Sequence, residues 1–163
     1  MYTKKQKVEI YAVFLLIILV IELFMTIVLQ KGFSAYYNSF HHLDWVLPRY
    51  LSIPIWSIMY ILYAIAGASI WIKRKSFIRK YALASWVIVI FLNILWPITF
   101  FYIPLRILTP IILSVLFISL LALLFYSFLA SRLAGYLLIP ITFMILYLLL
   151  LHWTLFIINI QVI

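Results

Sequence analysis

Few side chains in this sequence could carry chemistry, and Glu22 is the most conspicuous of them. It lies deep within a long apolar stretch, and the chain has only three acidic residues among its 163. An ionisable residue inside a membrane-spanning segment is a functional-site hypothesis by default. Glu22 is therefore either a coupling group for transport or a protonated side chain that is hydrogen-bonded inside a helix bundle.

The remaining reactive residue types give little basis for catalysis or for metal binding. Cysteine is absent, and the three histidines are His41, His42 and His152. Adjacent histidines point in different directions, so His41 and His42 do not form a good metal site alone. The sequence also lacks a Gly-rich phosphate loop, paired carboxylates and a Ser–His–Asp set. We therefore expect neither a metal centre nor ordinary acid–base or nucleophilic catalysis.

An aromatic stripe is predicted on one stretch of the chain. Trp56, Tyr60 and Tyr63 follow one another at spacings of four and three residues, so a helix places them on one face. Such a stripe is more often core packing than part of a ligand site. It becomes a candidate binding surface only if a second stripe lies opposite.

A second stripe, partly polar, supplies that surface. Asn93, Trp96 and Phe100 also share one helical face. Pro97 removes a backbone hydrogen bond, so we expect a kink there and a freed carbonyl at Asn93. A buried Asn side chain in lipid needs a partner from another helix or from a ligand. The two stripes predict a flat apolar pocket, with helix–helix packing as the alternative reading.

The elements that carry these stripes are predicted to be membrane-spanning helices. Hydrophobic residues make up 69% of the chain, charged residues 9%, and mean hydropathy is +1.28. A soluble domain is about half apolar and about a quarter charged. Apolar stretches of about 20 residues, enough to cross a bilayer, predict an all-α, five-helix membrane bundle that forms one domain over 1–163. The predicted spans are 8–30, 52–72, 81–103, 107–131 and 133–159.

The basic residues predict the orientation of the bundle. With five spans, nine Lys and Arg fall on the N-terminal side and three on the other. The positive-inside rule then places the N-terminus in the cytoplasm and the long loop 31–51 outside. The net charge of +9 fits attraction to anionic lipid headgroups; we expect no nucleic-acid partner. Trp71, Tyr81 and Trp86, near the predicted basic edge, are expected to be interfacial anchors.

The outer loop is predicted to be more than a connector. Its residues 34–50 are rich in aromatic side chains, and loops of this kind usually pack onto something. We expect it to act as a lid over the pocket between the two stripes.

Four local patterns in register along the chain resemble one known family. They are Tyr36-Tyr37 with Trp45 and Pro48 in the loop, Ile55-Trp56 with Tyr60, Leu92-Asn93 with Trp96 and Phe100-Phe101, and Arg132 to Pro140 followed by Trp153 and Asn159. Together they are similar to the motifs of the tryptophan-rich sensory proteins, also called the translocator protein or TspO/MBR family. Members of this family have about 160 residues and a five-helix bundle, which agrees with the length and the five spans of this sequence.

The resemblance implies a membrane receptor or sensor for a hydrophobic ligand. Family members bind porphyrins such as protoporphyrin IX and haem among the helices, under the first loop. We therefore expect no obligatory cofactor here, with such a tetrapyrrole as a possible ligand. Carried over to this sequence, the implied ligand-binding residues are Tyr36, Tyr37, Trp45, Trp56, Tyr60, Asn93, Trp96, Phe100 and Trp153. A histidine could serve as an axial ligand or hydrogen-bond partner of such a group.

Other functions remain open at this point. Some bacterial members are reported to degrade protoporphyrin in light, with tryptophans at the positions of Trp56 and Met144. The Met departs from that pattern, as do Leu43 and Leu47 from the prolines of the loop motif. The alternatives are such a light- or oxygen-dependent enzyme, a small transporter of a lipophilic ligand, and a structural subunit.

Assembly and location follow partly from the same resemblance. The family often forms homodimers, and small residues at Ala64, Gly67 and Ala68 could provide a helix face for one. The expected location is the plasma membrane of a bacterium.

Overall fold

The computed structural model describes residues 2–29, 45–103 and 105–161. Five helices account for nearly all of these residues, and each is long and apolar enough to cross a membrane. They are α1 (Lys4–Leu29), α2 (Arg49–Trp71), α3 (Phe77–Tyr102), α4 (Leu108–Ala130) and α5 (Arg132–Gln161). The prediction of a five-helix membrane fold is confirmed. Residues 30–44, which include most of the predicted lid, lie outside the described residues.

The helix ends follow from local polar residues. Ser76 has extended backbone angles (φ −154°, ψ 164°), and its side chain accepts a 3.2 Å hydrogen bond from the Arg79 N–H at the start of α3. Such an N-cap satisfies one of the donors that a helix start leaves free. Ser131 is also extended (φ −156°, ψ 110°) and alone separates α4 from α5. Helix α3 continues through Pro97 to Tyr102.

The helices pack in a ring. Helix α1 lies against α2, α2 against α5, α5 against α4, and α4 against α3, while sparser contacts of α3 with α2 and α1 close the ring. Because successive spans run in opposite directions, one end of the bundle carries Lys4, residues 73–80 and Arg132. We call it the basic end. The opposite end carries residues 45–49 and the α3–α4 connection.

Apolar side chains cover both the inside and the outside of the bundle. On α4, Leu116 is fully buried, whereas Ile118 is 66% exposed. An exposed face of this kind is stable only against lipid, because water would require a polar coat. The packing of the core is therefore set by side-chain shape rather than by polarity.

One predicted interfacial anchor is instead a core residue. Trp71 and Tyr81 are exposed, as an anchor should be, but Trp86 is only 6% exposed. Its indole N–H donates to the Tyr63 carbonyl and its own carbonyl accepts from the Tyr63 hydroxyl, both at 3.0 Å. The two rings are stacked with centroids 5.5 Å apart. The prediction for Trp86 was wrong because a partner on α2 satisfies its polar atom inside the bundle.

The small residues predicted to form a dimer face are also buried within the chain. Ala64 and Ala68 are fully buried, and a Cβ at Gly67 would lie 2.5 Å from the Trp86 ring. Small side chains on α2 therefore make room for a tryptophan of α3. That helix face cannot hold a second copy of the chain, so the residue assignment was wrong.

Candidate functional site

The half of the bundle that lies away from the basic end contains a cluster of aromatic rings from three helices. Trp56 of α2 and Trp96 of α3 face each other with ring centroids 6.4 Å apart and an interplanar angle of 31°. Tyr60, one turn along α2, lies 6.1 Å from Trp56. The structure therefore brings the two predicted stripes together across the α2–α3 seam.

His152 of α5 extends this cluster. Its ring contacts Trp96 and Phe100 edge-on, with centroid distances of 5.4 and 5.3 Å. Its Nδ1 lies 2.8 Å from the Leu148 carbonyl oxygen. Because a carbonyl only accepts, Nδ1 carries a proton and, in the neutral ring, Nε2 carries the lone pair. We refer to Trp56, Tyr60, Trp96, Phe100 and His152 as the aromatic cluster.

A small cavity adjoins the aromatic cluster at the centre of the bundle. Its volume is about 20 Å³, which is room for roughly one water molecule. The wall is almost entirely apolar and is built from α1, α2, α3 and α5. Its lining residues are Ile18, Ile21, Trp56, Met59, Tyr60, Tyr63, Ile90, Asn93, Ile94 and Ile141.

Asn93 contributes a polar group to this wall. Its side-chain amide donates to the Val89 carbonyl, one turn earlier in the same helix, at 3.1 Å. Among the described residues, no hydrogen bond links the Asn93 side chain to another helix. Of the two partners expected for Asn93, another helix or a ligand, another helix supplies none within the described residues, and a carbonyl of its own helix accepts an amide proton.

Glu22 is held by a hydrogen bond across the α1–α2 seam. The Ser57 hydroxyl donates to Glu22 Oε1 at 2.6 Å. Ser57 follows Trp56 directly, and Ile21 beside Glu22 lines the cavity. The acid is therefore next to the aromatic cluster and hydrogen-bonded to a neighbouring helix; both readings of its role stay predictions. Ser57 was not identified from the sequence. The available signal was a serine directly after Trp56, the first residue of the aromatic stripe.

The described end of the loop is tied to α5 by Tyr147. Its hydroxyl accepts a 2.7 Å hydrogen bond from the Leu47 N–H and donates to the Trp45 carbonyl at 3.3 Å. The Trp45 ring packs edge-on against it, with centroids 5.8 Å apart. Tyr147 was not identified from the sequence, although its hydroxyl stands out beside a run of four leucines, 148–151.

The other predicted site residues do not join the aromatic cluster. The Trp153 indole donates to the Ser114 hydroxyl of α4 at 3.2 Å, so this ring occupies the α4–α5 seam. Tyr36 and Tyr37 lie outside the described residues. Within 2–29, 45–103 and 105–161, no three His, Asp or Glu side chains are placed to hold a metal ion.

Comparison with known protein families gives a match over nearly the whole chain. A family model described as the TspO/MBR family matches residues 12–158. The match spans all five helices and every residue of the aromatic cluster. A comparison with curated proteins finds no match.

Proposed function

Because the family model matches nearly its whole length, this chain belongs to the TspO/MBR family of integral membrane proteins, and we propose that it is a membrane sensor or receptor for a flat hydrophobic ligand. The ligand class that we propose is a tetrapyrrole, such as protoporphyrin IX or haem. The ligand would lie at the aromatic cluster, with residues of the 31–51 loop above it.

The observation that supports this proposal most strongly is the facing pair Trp56 and Trp96. Their rings come from different helices and lie only 31° from parallel. Aromatic faces bind flat π-systems by offset stacking and by burial of apolar area. A pocket of this kind needs only a few polar atoms to fix the orientation of its ligand. Asn93 and His152 supply such atoms beside the two indoles.

Binding at the aromatic cluster would require side chains to move. A drug-sized ligand needs a pocket of about 300 Å³ or more, whereas the cavity has about 20 Å³. A macrocycle bound between these two rings would therefore replace the contact between Trp56 and Trp96. The packing of α2 on α3 is sparse compared with that of α3 on α4, so opening this seam would break fewer helix–helix contacts than opening the α3–α4 seam.

The proposal is tested by titrating protoporphyrin IX and haem into the purified full-length protein. Porphyrins partition into detergent micelles, so the same titration without protein is the baseline. We expect saturable one-to-one binding, with quenching of tryptophan fluorescence, and weaker binding of an open-chain tetrapyrrole that cannot lie flat. A response indistinguishable from empty micelles would overturn the proposal.

The same sample separates the sensor from the porphyrin-degrading enzyme. With a sensor, the absorbance bands of bound protoporphyrin IX are lost under illumination no faster than those of protoporphyrin IX in a protein-free control. Protein-dependent loss of the macrocycle bands in light, abolished by Trp56→Phe, would instead establish the enzyme.

A further inference from the structure

A buried arginine at the basic end has no anionic partner among the residues that the structure describes. Arg79 lies in the first turn of α3 and is 8% exposed. Its guanidinium lies over the Trp71 ring, 5.0 Å from the ring centroid, and its Nε has no hydrogen-bond partner. Burying a cation costs free energy unless it is paired and hydrogen-bonded, and the ring supplies only part of that compensation.

The described acids do not supply the missing partner. They are Glu9, which is exposed, and Glu22, which is hydrogen-bonded to Ser57 in the other half of the bundle. No hydrogen bond joins either of them to Arg79. The compensating anion must therefore come from outside the described part of the chain.

The surroundings of Arg79 are suited to a lipid headgroup. Exposed basic side chains flank it along the chain, namely Lys73, Arg74, Lys75 and Lys80. Phe77 is 80% exposed and Tyr81 is 53% exposed on the same helix. Basic residues combined with exposed aromatics are typical of the membrane–water interface, where lipid phosphates lie.

Arg79 is better suited to a defined site than its exposed neighbours. Its Nε is enclosed by protein, while the residue keeps 8% of its surface exposed. The terminal nitrogens of a guanidinium form a fork that binds phosphate oxygens in pairs. The contact with Trp71 restrains the position of the guanidinium. The start of α3 adds the positive end of a helix dipole in the same place.

We propose that the basic end contains a binding site for the phosphate headgroup of an anionic phospholipid, with Arg79 on Trp71 as its centre. The flanking lysines and Arg74 add attraction for a net negative lipid but do not define the site. This inference is independent of the tetrapyrrole proposal, because the two sites lie in opposite halves of the bundle.

The test is a thermal unfolding titration of the full-length protein in a neutral detergent, followed by circular dichroism. Phosphatidylglycerol is added to one series and phosphatidylcholine to the other. We expect a larger rise in Tm with phosphatidylglycerol. Arg79→Lys, which keeps the charge and loses the fork, should need about five-fold more lipid for half the effect. The matched control Arg74→Lys should behave as the wild type.

Three outcomes would overturn the proposal. The first is an unchanged lipid response in Arg79→Lys, and the second is an equal loss in both variants, which would mean diffuse attraction. The third is an equal rise in Tm with soluble glycerol phosphate, which would assign the site to a free phosphate.

A second measurement serves if Arg79→Lys does not fold. The ¹⁵N resonance of Arg79 Nε in the wild-type protein should shift on addition of phosphatidylglycerol, while that of Arg74 should not. No shift at Arg79 would overturn the assignment.

Discussion

Replacement of Gly67 by alanine tests the packing of the bundle where it is tightest. A Cβ at this position would lie 2.5 Å from Trp86 Cε2 and 2.6 Å from Nε1, whereas carbon atoms in contact lie about 3.5–4.0 Å apart. The ring or the helix must therefore move by about 1 Å. Trp86 cannot move freely, because Tyr63 stacks on it and exchanges two hydrogen bonds of 3.0 Å with it.

The expected cost follows from these contacts. Overpacking of a well-packed core costs about 1–3 kcal/mol, and each interhelical hydrogen bond lost in a membrane protein costs about 0.6 kcal/mol. Alanine recovers about 1 kcal/mol through its better helix propensity. We therefore expect Gly67→Ala to lower the free energy of unfolding by about 1–3 kcal/mol, from the overpacking and hydrogen-bond terms less that gain.

The assay is unfolding of the purified protein by increasing mole fractions of dodecyl sulfate in mild detergent, followed by circular dichroism. Gly135→Ala is the matched control, since its Cβ would lie 2.5 Å from the Phe128 ring. Phe128 is only half-buried, so its ring can swing towards lipid, and we expect a loss below about 1 kcal/mol. Gly67→Ala as stable as the wild type, or less harmful than Gly135→Ala, would refute the reasoning.

Two further variants test the contacts around the aromatic cluster. Ser57→Ala removes the donor that Glu22 uses across the α1–α2 seam and should cost about 0.5–1.5 kcal/mol in the same unfolding assay; an equal loss in Ser57→Ala made on a Glu22→Leu background, which has no acceptor, would contradict a direct contact. Tyr147→Phe removes both hydrogen bonds to the loop end. The hydrogen of the Leu47 amide should then exchange with solvent about ten-fold faster or more, because a hydrogen bond worth about 1.4 kcal/mol or more is lost. Unchanged exchange at Leu47 would show that other contacts hold this segment.

The sequence was sufficient to predict the helices but not the faces they bury. The span boundaries were predicted from charge and hydropathy, because these two properties decide which segments are stable in lipid. The inward face of a span has no such signature, because lipid and protein core are equally apolar. Leu116 and Ile118, alike in hydrophobicity, are fully buried and 66% exposed respectively. For the same reason Trp86 was placed at the interface although it lies in the core.

The candidate site was predicted in part for a related reason. Trp56 and Trp96 were identified because rare residue types at helical spacing define one face of a helix, even where that face does not differ in polarity from the others. Tyr147 and Ser57 were missed because their role depends on which helix lies opposite. That pairing depends on long-range packing, which spacing within one helix does not encode.

The most direct test of the central claim is the affinity for protoporphyrin IX of Trp56→Leu measured beside that of Trp153→Leu. Both tryptophans lie in the half of the bundle near the opposite end, but only Trp56 belongs to the aromatic cluster, since Trp153 faces Ser114 in the α4–α5 seam. Loss of a stacking face worth about 1.4 kcal/mol lowers affinity about ten-fold. We expect that loss in Trp56→Leu and wild-type affinity in Trp153→Leu; equal affinities in the two variants would contradict binding at the aromatic cluster.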